Sequence, residues 1–337
     1  MTSLTLGYKA SAEQFAPREL LTFAQLAEQV GLDSVAISDH FQPFRHSGGH
    51  SPASLPWLGA LAATTDRIRI GTSVLTPTIR YLPSVVAQAF ATLACLAPGR
   101  IFLGLGAGEA LNEIAPTGAD WPTAGERLRR LHEAVALIRE LWTNERVTFN
   151  GTWYRTVKAT IYDRPGTPPP IYIAAGGPKG AAWVGGNAEG FIQTSGKPRE
   201  LYTDVLLPAV AAGAAEAGRD PNAIERTIEI KLSYHPDLEQ AKRDCQFWAP
   251  LALPAEAKKD VDDPVELERL ADNPSVDATS RFIVTADPAA ATEQIRSYVE
   301  MGFTHLIFHS PAADQAGFLT RFAADIAPRL REHAPEL

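Results

Sequence analysis

The segment at residues 38–50, SDHFQPFRHSGGH, concentrates side chains that can do chemistry. It contains three of the eight histidines of the chain, together with Asp39 and Arg45. An imidazole titrates near neutral pH and a neighbouring carboxylate shifts its pKa, so Asp39 and His40 form a candidate proton-transfer pair. The same two residues would also serve as an ordinary loop pair that satisfies local hydrogen bonds. Only the position of Asp39 and His40 in the fold can distinguish between a proton-transfer pair and a loop pair.

The spacing of His46 and His50 raises the question of a metal site. Two histidines four residues apart share one face of a helix and can bind zinc together. The Ser-Gly-Gly segment between them disfavours a helix, and Cys95 and Cys245 belong to no metal-binding motif. We therefore predict that the chain binds no metal and that both cysteines are buried, reduced thiols.

The composition excludes several classes of protein. The chain has 337 residues, of which 45% are hydrophobic and 21% are charged, as is typical of a globular protein. A net charge of −8 disfavours a nucleic-acid partner, because a phosphate-binding face needs an excess of basic residues. No apolar run reaches the length of about 18 residues that a membrane helix needs. The first residues lack the basic and apolar segments of a secretory signal, so we expect a cytoplasmic protein.

Apolar segments alternate with helical segments along the whole chain. The predicted strands are residues 4–9, 34–38, 68–75, 100–108, 170–177, 189–195, 228–234 and 304–310. The predicted helices include residues 17–31, 54–65, 82–99, 124–143 and 312–333. The pattern indicates strands that are apolar on both faces, which is typical of a parallel sheet between helices. Eight such units predict one α/β domain over residues 1–337, a (β/α)8 TIM barrel.

Three segments interrupt this alternation and are predicted to be insertions. They lie near residues 110–123, 147–169 and 250–280. In the second of them, Asn150 and Gly151 stand between two β-type runs, which predicts a hairpin turn. Because the active sites of such barrels lie at the C-terminal ends of the strands, the residues just after each strand are the candidate site residues.

Several of these strand ends carry features of a binding site. The glycine-rich segment at residues 104–108 is followed by Glu109 rather than by the glycine of a dinucleotide fingerprint, so it indicates a loop that a flat group can approach. The segment AAGGPKG after the fifth strand leads into a helix, which favours an anionic group but also suits a tight turn. Lys197 follows the sixth strand, whereas Lys258 and Arg281 lie in less regular regions, where a cation is ordinarily a solvated surface charge.

Longer motifs in the chain resemble one known family. They are GYKASAEQFAPREL, SDHFQP, GTSVLTPT, GEALNEIA, YIAAGGP, TSGK and FWAPL. Together they closely resemble the F420-dependent glucose-6-phosphate dehydrogenases of actinobacteria, which are luciferase-like (β/α)8 barrel proteins. The resemblance extends from near Gly7 to about Arg331, and its motifs are long and specific.

This resemblance implies a cofactor and a reaction. The cofactor is coenzyme F420, a deazaflavin that carries a phosphate and an oligoglutamate tail. The reaction transfers a hydride from C1 of a sugar 6-phosphate to C5 of the deazaflavin and gives a lactone. The resemblance also implies a homodimer and a non-prolyl cis peptide bond between Ser73 and Val74.

Individual residues match the family's site position by position. His40 and Glu109 match its proton-handling pair. The positions that match its cofactor site are Asp39, Ser73, Val74, Thr76, Ala107, Gly108, Asn112, Gly176, Gly177, Lys179 and Gly180. The positions that match its sugar-phosphate site are Phe44, Thr194, Lys197, Lys258 and Arg281. A local cluster of cations would also offset the net negative charge of the chain, which repels an anionic substrate at long range.

Two residues depart from the family pattern. Phe44 stands where the family usually has tryptophan, and Ala107 stands where it usually has threonine. Loss of the indole removes a donor N–H and stacking area beside the sugar. The sequence therefore predicts a looser pocket that also accepts fructose or mannose 6-phosphate, while the cofactor contact at position 107 is left open.

Three other functions remain as alternatives. An F420-dependent alcohol dehydrogenase would keep the barrel and the cofactor, and an FMN-dependent luciferase-like monooxygenase would keep the barrel. A non-catalytic deazaflavin carrier would need neither His40 nor Glu109. The cations Lys197, Lys258 and Arg281 favour a phosphorylated substrate over a free alcohol.

Overall fold

Parallel β-strands form the centre of the molecule. The computed structural model describes residues 4–258 and 261–332, which contain nine strands. The strands are β1 (Thr5–Ala10), β2 (Ser34–Ile37), β3 (Arg69–Thr72), β4 (Ile101–Leu105), β5 (Ile171–Ala174), β6 (Gly190–Thr194), β7 (Glu225–Tyr234), β8 (Ile283–Thr285) and β9 (His305–His309).

Eight of these strands close into a ring. The ring runs from β1 to β7 in chain order, continues to β9, and returns from β9 to β1. The remaining strand, β8, pairs with residues 232–234 at the end of β7. Each ring strand overlaps one predicted strand and every pairing is parallel, so the predicted (β/α)8 barrel is confirmed.

Helices connect the strands. They are α1 (Pro17–Gln29), α2 (Ser54–Ala63), α3 (Pro83–Leu96), α4 (Ala110–Thr117), α5 (Ala124–Thr143), α6 (Pro178–Asn187), α7 (Leu207–Glu216), α8 (Leu238–Asp244), α9 (Ala255–Lys258), α10 (Pro264–Ala271), α11 (Pro288–Glu300), α12 (Gln315–Asp325) and α13 (Ala327–Glu332). Pro17 begins α1, and Gly31 just beyond its end has φ of 87°, as the sequence pattern predicts. The single helix predicted over residues 312–333 is two helices, α12 and α13. Within the described residues, no helix is long and apolar enough to cross a lipid bilayer.

The interior of the barrel is closed at its N-terminal end by a polar cluster. Glu225 accepts a hydrogen bond from the Tyr172 hydroxyl at 2.7 Å, and it pairs with Arg69 at 3.2 Å and with His305 Nδ1 at 2.6 Å. Ser34 Oγ lies 2.6 Å from His305 Nε2. These five side chains fill the bottom of the barrel, so a ligand reaches the interior only from the C-terminal ends of the strands.

Above this plug, the inward-facing layer is apolar, and the next layer is charged. The apolar layer consists of Ala36, Phe102, Ile192, Ile307 and the ring of Tyr172, whose hydroxyl belongs to the plug. The charged layer consists of Lys9, Glu229 and Lys231, with the imidazole of His309 beside them. The expectation that all strands are apolar on both faces is therefore wrong for β1, β7 and β9, whose inward positions alternate with apolar outward ones.

Two local expectations are also corrected. The hairpin near residue 150 exists, but the bond from Gly151 N–H to the Tyr154 carbonyl centres its turn on residues 152–153. The carboxylate of Glu133 on α5 accepts the backbone N–H groups of residues 152–154 and fixes the turn there. Cys245 is buried as predicted, whereas Cys95 is exposed, because it lies on the outer side of α3.

The regions predicted to be insertions hold α4, the hairpin, and the helices α9 and α10. A 3₁₀ segment, Cys245–Ala252, precedes α9. Trp248, Leu251 and Lys258 of this region form part of the wall of the cavity at the barrel mouth. The last of these segments therefore covers the C-terminal end of the barrel.

Two helix glycines provide a matched test of the packing between α6 and α7. A Cβ atom on Gly185 would lie 1.9 Å from the Val210 carbonyl oxygen, whereas a Cβ on Gly59 of α2 would meet no atom within 4 Å. We expect Gly185→Ala to lower the free energy of unfolding by about 1–3 kcal/mol through overpacking. We expect Gly59→Ala to raise it by about 0.4–1 kcal/mol, because alanine restricts the unfolded chain. Urea unfolding followed by circular dichroism measures both, and equal effects would contradict the described packing.

Candidate active site

A cavity of about 320 Å³ opens at the C-terminal ends of the strands. It is the place where the fold predicts an active site. The predicted site residues in its wall are His40, Phe44, Ser73, Val74, Glu109, Thr194, Lys258 and Arg281. Eight residues from distant parts of the sequence thus meet at one cavity, which no sequence pattern could establish.

His40 is paired with a buried carboxylate. Its Nδ1 lies 2.7 Å from Oε1 of Glu13, whose side chain is only 2% exposed. Burial lowers the pKa of His40, but Glu13 and Glu109 raise it, and the net result lies above the ordinary value. Burial alone would raise the pKa of Glu13, yet His40 and Lys9 bring it down to about 2. Glu13 thus remains ionised and orients the imidazole, which leaves Nε2 as the nitrogen available for proton transfer.

Glu109 and Phe44 flank the imidazole. Glu109 directly precedes α4, lines the cavity, and is close enough to His40 to raise its pKa. The ring of Phe44 packs edge-on against His40 with 5.1 Å between the ring centroids, and Trp248 lies 6.4 Å beyond Phe44. The predicted pair of His40 and Glu109 therefore shares one cavity, with an aromatic wall beside it.

Cations gather at another part of the cavity. Arg281 and Lys258 line the wall, and Nε of Arg281 is buried without a hydrogen-bond partner among the described residues. Lys197 is not part of the wall, because its Nζ donates to Gln193 Oε1 at 2.9 Å. Lys197 nevertheless lies close to Arg281. Burial is the largest cause of its lowered pKa, and the positive charge of Arg281 is the second. The three predicted cations come together, and they leave an orphaned guanidinium donor that fits an anionic ligand.

A second cavity of about 510 Å³ adjoins the first, and Ala174 lines both. Its wall contains five of the predicted cofactor residues: Ala107, Gly176, Gly177, Lys179 and Gly180. A Cβ on Gly176 or Gly177 would meet no atom within 4 Å, so the backbone borders open space here. The first turn of α6 also points free N–H groups and the positive end of its dipole toward this space. The cavity therefore suits an anionic group.

Four predicted cofactor residues line neither cavity and hold the surrounding loops instead. The buried carboxylate of Asp39 accepts bonds from Ser54 Oγ and from Arg80, both at 2.6 Å. Asn112 Oδ1 accepts the backbone N–H groups of residues 41 and 42 and so anchors the loop after His40. Thr76 is buried and packs against Gly108, which has φ of 87°. Their assignment to the cofactor site remains a prediction from the resemblance.

Asp39 is also not the partner of His40, which the sequence pattern had suggested. The partner is Glu13, on the segment after β1. His46 and His50 are exposed and lie outside both cavities. The predicted pairing of Asp39 with His40 is therefore wrong, and the proton-transfer role of His40 stays a prediction.

Eleven residues of the cavity wall were not predicted from the sequence. Six of them have ionisable or aromatic side chains: Lys9, Glu13, Glu229, Lys231, Trp248 and His309. A signal was present in the segments LGYKASAE and IEIKLSY, where charged or hydroxyl side chains recur at every second position, namely Lys9, Ser11 and Glu13, and Glu229, Lys231 and Ser233. In a barrel strand such a period places the charges on the inner face.

The peptide bond between Ser73 and Val74 is cis, as the resemblance implies. It follows β3, and both residues line the first cavity. Lys9 donates a hydrogen bond from Nζ to the Ser73 carbonyl and pairs with Glu229 at 2.9 Å. The Lys9 ammonium therefore joins β1 and β7 to the segment after β3.

Comparison with known protein families matches most of the chain to one of them. The sequence model of the luciferase-like monooxygenases matches residues 1–305. The chain belongs to this luciferase-like family. Among solved structures, an F420-dependent secondary alcohol dehydrogenase in complex with an F420-acetone adduct is 34% identical, has a TM-score of 0.91, and is covered over 99% of its length by 97% of this chain.

Curated relatives bear the name that the motifs suggest. The F420-dependent glucose-6-phosphate dehydrogenase of Beutenbergia cavernae is 60% identical over 97% of this chain and 98% of its own length. The protein of the same name from Mycolicibacterium smegmatis is 56% identical over 99% of this chain and its full length. A tetrahydromethanopterin reductase from Methanopyrus kandleri, 19% identical with a TM-score of 0.79, shares the fold. The predicted resemblance is confirmed.

The link between Glu13 and His40 can be tested without any assay of activity. In Glu13→Gln the carboxylate that raises the pKa of His40 is lost while burial remains, so we expect that pKa to fall below the ordinary value. NMR titration of the imidazole resonances measures the change. The resonance of His132, which stacks on Trp183, is an internal reference, and Glu19→Gln on the exposed side of α1 is the matched control. An unchanged His40 titration in Glu13→Gln would contradict this pairing.

Proposed function

We propose that this protein oxidises a hexose 6-phosphate at C1 with coenzyme F420, giving the 6-phosphogluconolactone from glucose 6-phosphate, and the reduced cofactor. The observation that carries the proposal is one cavity with two chemically different ends. His40, Glu13 and Glu109 form a proton-handling end, and Arg281, Lys258 and Lys197 form a cationic end. A small molecule with an oxidisable hydroxyl at one end and a phosphate at the other matches both.

The residues present fit the cofactor. The wall of the second cavity, with Gly176, Gly177, Lys179 and Gly180 at the start of α6, would hold its phosphate. Ser73, Val74 and Ala107 would border its ring where the two cavities meet. Coenzyme F420, when bound, supplies the deazaflavin C5 that accepts the hydride.

The chain's own residues handle the proton and the charge. His40 Nε2 takes the proton of the C1 hydroxyl as the C–H bond breaks, because Glu13 holds Nδ1. The imidazolium formed in this step is stabilised by Glu13 and by Glu109, both of which raise the pKa of His40. Phe44 and Trp248 exclude water from one side of the sugar. Thr194, Lys258 and Arg281 bind the far end of the substrate, and Lys197 supports them electrostatically.

A secondary alcohol dehydrogenase is the second candidate, because one similar structure carries that name. The barrel and the proton-handling end would serve such a reaction equally well. The cationic end would not, since a small alcohol has no charge to pair with three cations. Among the described residues none of the three forms an ion pair, and a buried charge without an opposite charge beside it is destabilising. The cations therefore favour the sugar phosphate.

Four further features accompany this proposal. The chain works as one barrel domain with three insertions, of which the last, near residues 250–280, contributes Leu251 and Lys258 to the cavity wall. It forms the homodimer that the resemblance implies, which light scattering on the purified protein would test. It acts in carbohydrate metabolism, since its substrate is a sugar phosphate. It works in the cytoplasm, where an exposed thiol such as Cys95 stays reduced.

The proposed function predicts a specific loss in His40→Ala. In an anaerobic assay of F420 reduction, we expect glucose 6-phosphate to be oxidised by the wild type and kcat to fall by about 10²–10⁴ in the variant, the scale of a general base. F420 binding, measured by its fluorescence, should stay unchanged. His46→Ala, an exposed histidine of the same loop, is the control and should keep full activity. Reduction of F420 by propan-2-ol but not by sugar phosphates would instead establish the second candidate.

Phe44 predicts relaxed selectivity among sugars. The phenyl ring packs beside His40 but offers no N–H donor to a sugar hydroxyl. We expect the wild type to oxidise mannose and fructose 6-phosphates as well, and Phe44→Trp to shift the ratio of kcat/KM values toward glucose 6-phosphate by about 10-fold, the scale of one hydrogen bond. Measuring kcat/KM for the three sugars in both proteins checks this. Strict selectivity for glucose 6-phosphate in the wild type would refute the looser pocket.

A further inference from the structure

Lys231 is a buried cation that faces the cavity and has no assigned role. It lies on β7 and lines the first cavity, yet its side chain is only 6% exposed. Its nearest charged group is Glu229 Oε1, 3.7 Å from Nζ, which is too far for a hydrogen bond. Within the described residues, no hydrogen bond from this ammonium is formed.

The neighbouring carboxylate is already occupied. Glu229 Oε2 pairs at 2.9 Å with Lys9, which also donates to the Ser73 carbonyl. His309 Nδ1 lies 3.8 Å from Glu229, and burial lowers the pKa of His309 to about 4, so this imidazole is neutral near pH 7. Two ammonium groups thus lie beside Glu229, and the closer one, Lys9, is the one that it pairs with. Among the described residues, Lys231 has no other carboxylate within 4 Å. An isolated buried charge is unfavourable unless a partner arrives.

The surroundings of Lys231 connect it to the cationic end. Its backbone N–H donates to Ser195 Oγ at 3.1 Å, which joins β7 to the segment that carries Lys197. The charged groups around its ammonium are Glu229 on the same strand, Lys9 on β1, Arg281 after α10 and Lys197 after β6. Burial, opposed by Glu229 and reinforced by these three cations, lowers the pKa of Lys231 to about 8. An anion bound among them would reverse this effect.

We infer that Lys231 is a fourth cation of the substrate site and binds the phosphate end of the substrate together with Arg281, Lys258 and Lys197. The inference rests on the proposed function and adds a residue to it. A phosphate dianion at this position would satisfy the unused donors of Lys231 and the orphaned Nε of Arg281 at once.

A proton should be taken up when the phosphate binds. In the free protein Lys231 is about half protonated at pH 8, and the bound dianion stabilises its charged form. While the phosphate remains a dianion, its affinity is therefore higher below pH 8, where Lys231 already carries its proton, and it weakens as the pH rises above 8. Lys197 and Lys258, whose pKa values are also lowered by burial, contribute in the same direction.

The first experiment compares the wild type with Lys231→Met in steady-state kinetics. We expect KM for glucose 6-phosphate to rise roughly 10- to 100-fold in the variant, the scale of one charge-assisted hydrogen bond. The dissociation constant of F420 should stay within about twofold, and kcat should change little. Lys242→Met, an exposed lysine on α8, is the matched control and should behave as the wild type.

The second experiment follows proton uptake directly. Both proteins are titrated calorimetrically with inorganic phosphate at pH 8, in two buffers of different ionisation enthalpy. The number of protons taken up on binding should be lower in Lys231→Met than in the wild type by roughly half a proton. Lys231→Arg keeps the positive charge but does not titrate in this pH range. Its KM should therefore stay closer to that of the wild type, and it should increase less between pH 8 and 9 than the KM of the wild type does. If Lys231→Met fails to fold, the pH dependence of KM in Lys231→Arg tests the inference instead.

The outcomes separate the two proposals. If the wild type neither binds inorganic phosphate nor oxidises sugar phosphates, the proposed function is wrong. If the wild type does both, and folded Lys231→Met has the same KM and the same proton uptake, Lys231 is a structural cation only and the inference is overturned.

Discussion

Charge compensation inside a closed barrel is the constraint on which this site depends. The ring of strands is sealed at its N-terminal end by Glu225, Arg69 and their partners, so water does not reach the inner charges from below. At the C-terminal end, each buried ionic group must therefore find a partner in the protein or in a ligand. Where the protein supplies the partner, the group is held rigidly. Where the protein supplies no partner, the buried group is stabilised only when a ligand of opposite charge binds.

This distinction divides the barrel mouth into two regions. Glu13 and His40 compensate each other, and the result is an oriented imidazole whose other nitrogen faces the cavity. Lys9 compensates Glu229 and at the same time donates to the Ser73 carbonyl, which holds this part of the wall of the first cavity in place. The cationic region, in contrast, is under-compensated. Burial first, and then the neighbouring cations, lower the pKa values of Lys197 and Lys231, and a bound anion would oppose both effects.

Much of the fold could be predicted from the sequence because local patterns of residues determine where its strands and helices begin and end. Apolar runs mark the eight ring strands, and proline and glycine mark the ends of α1 and α3. The exceptions arose where a distant residue overrode the local pattern. The turn near Asn150 shifted because Glu133 on α5 captures the backbone N–H groups of residues 152–154. The final helix divides after Asp325, for which we have no account from the sequence.

The sequence by itself determined the class of fold, the family, and the chemical types of the residues at the strand ends. It did so because hydrophobic periodicity and long motifs are properties of the chain alone. Only the tertiary structure decided which charges become neighbours. Glu13 rather than Asp39 faces His40, because β1 and β2 are adjacent in the ring and Asp39 is held by Ser54 and Arg80. Pairing depends on distances of a few ångströms between residues far apart in sequence, and those distances exist only once the barrel has closed.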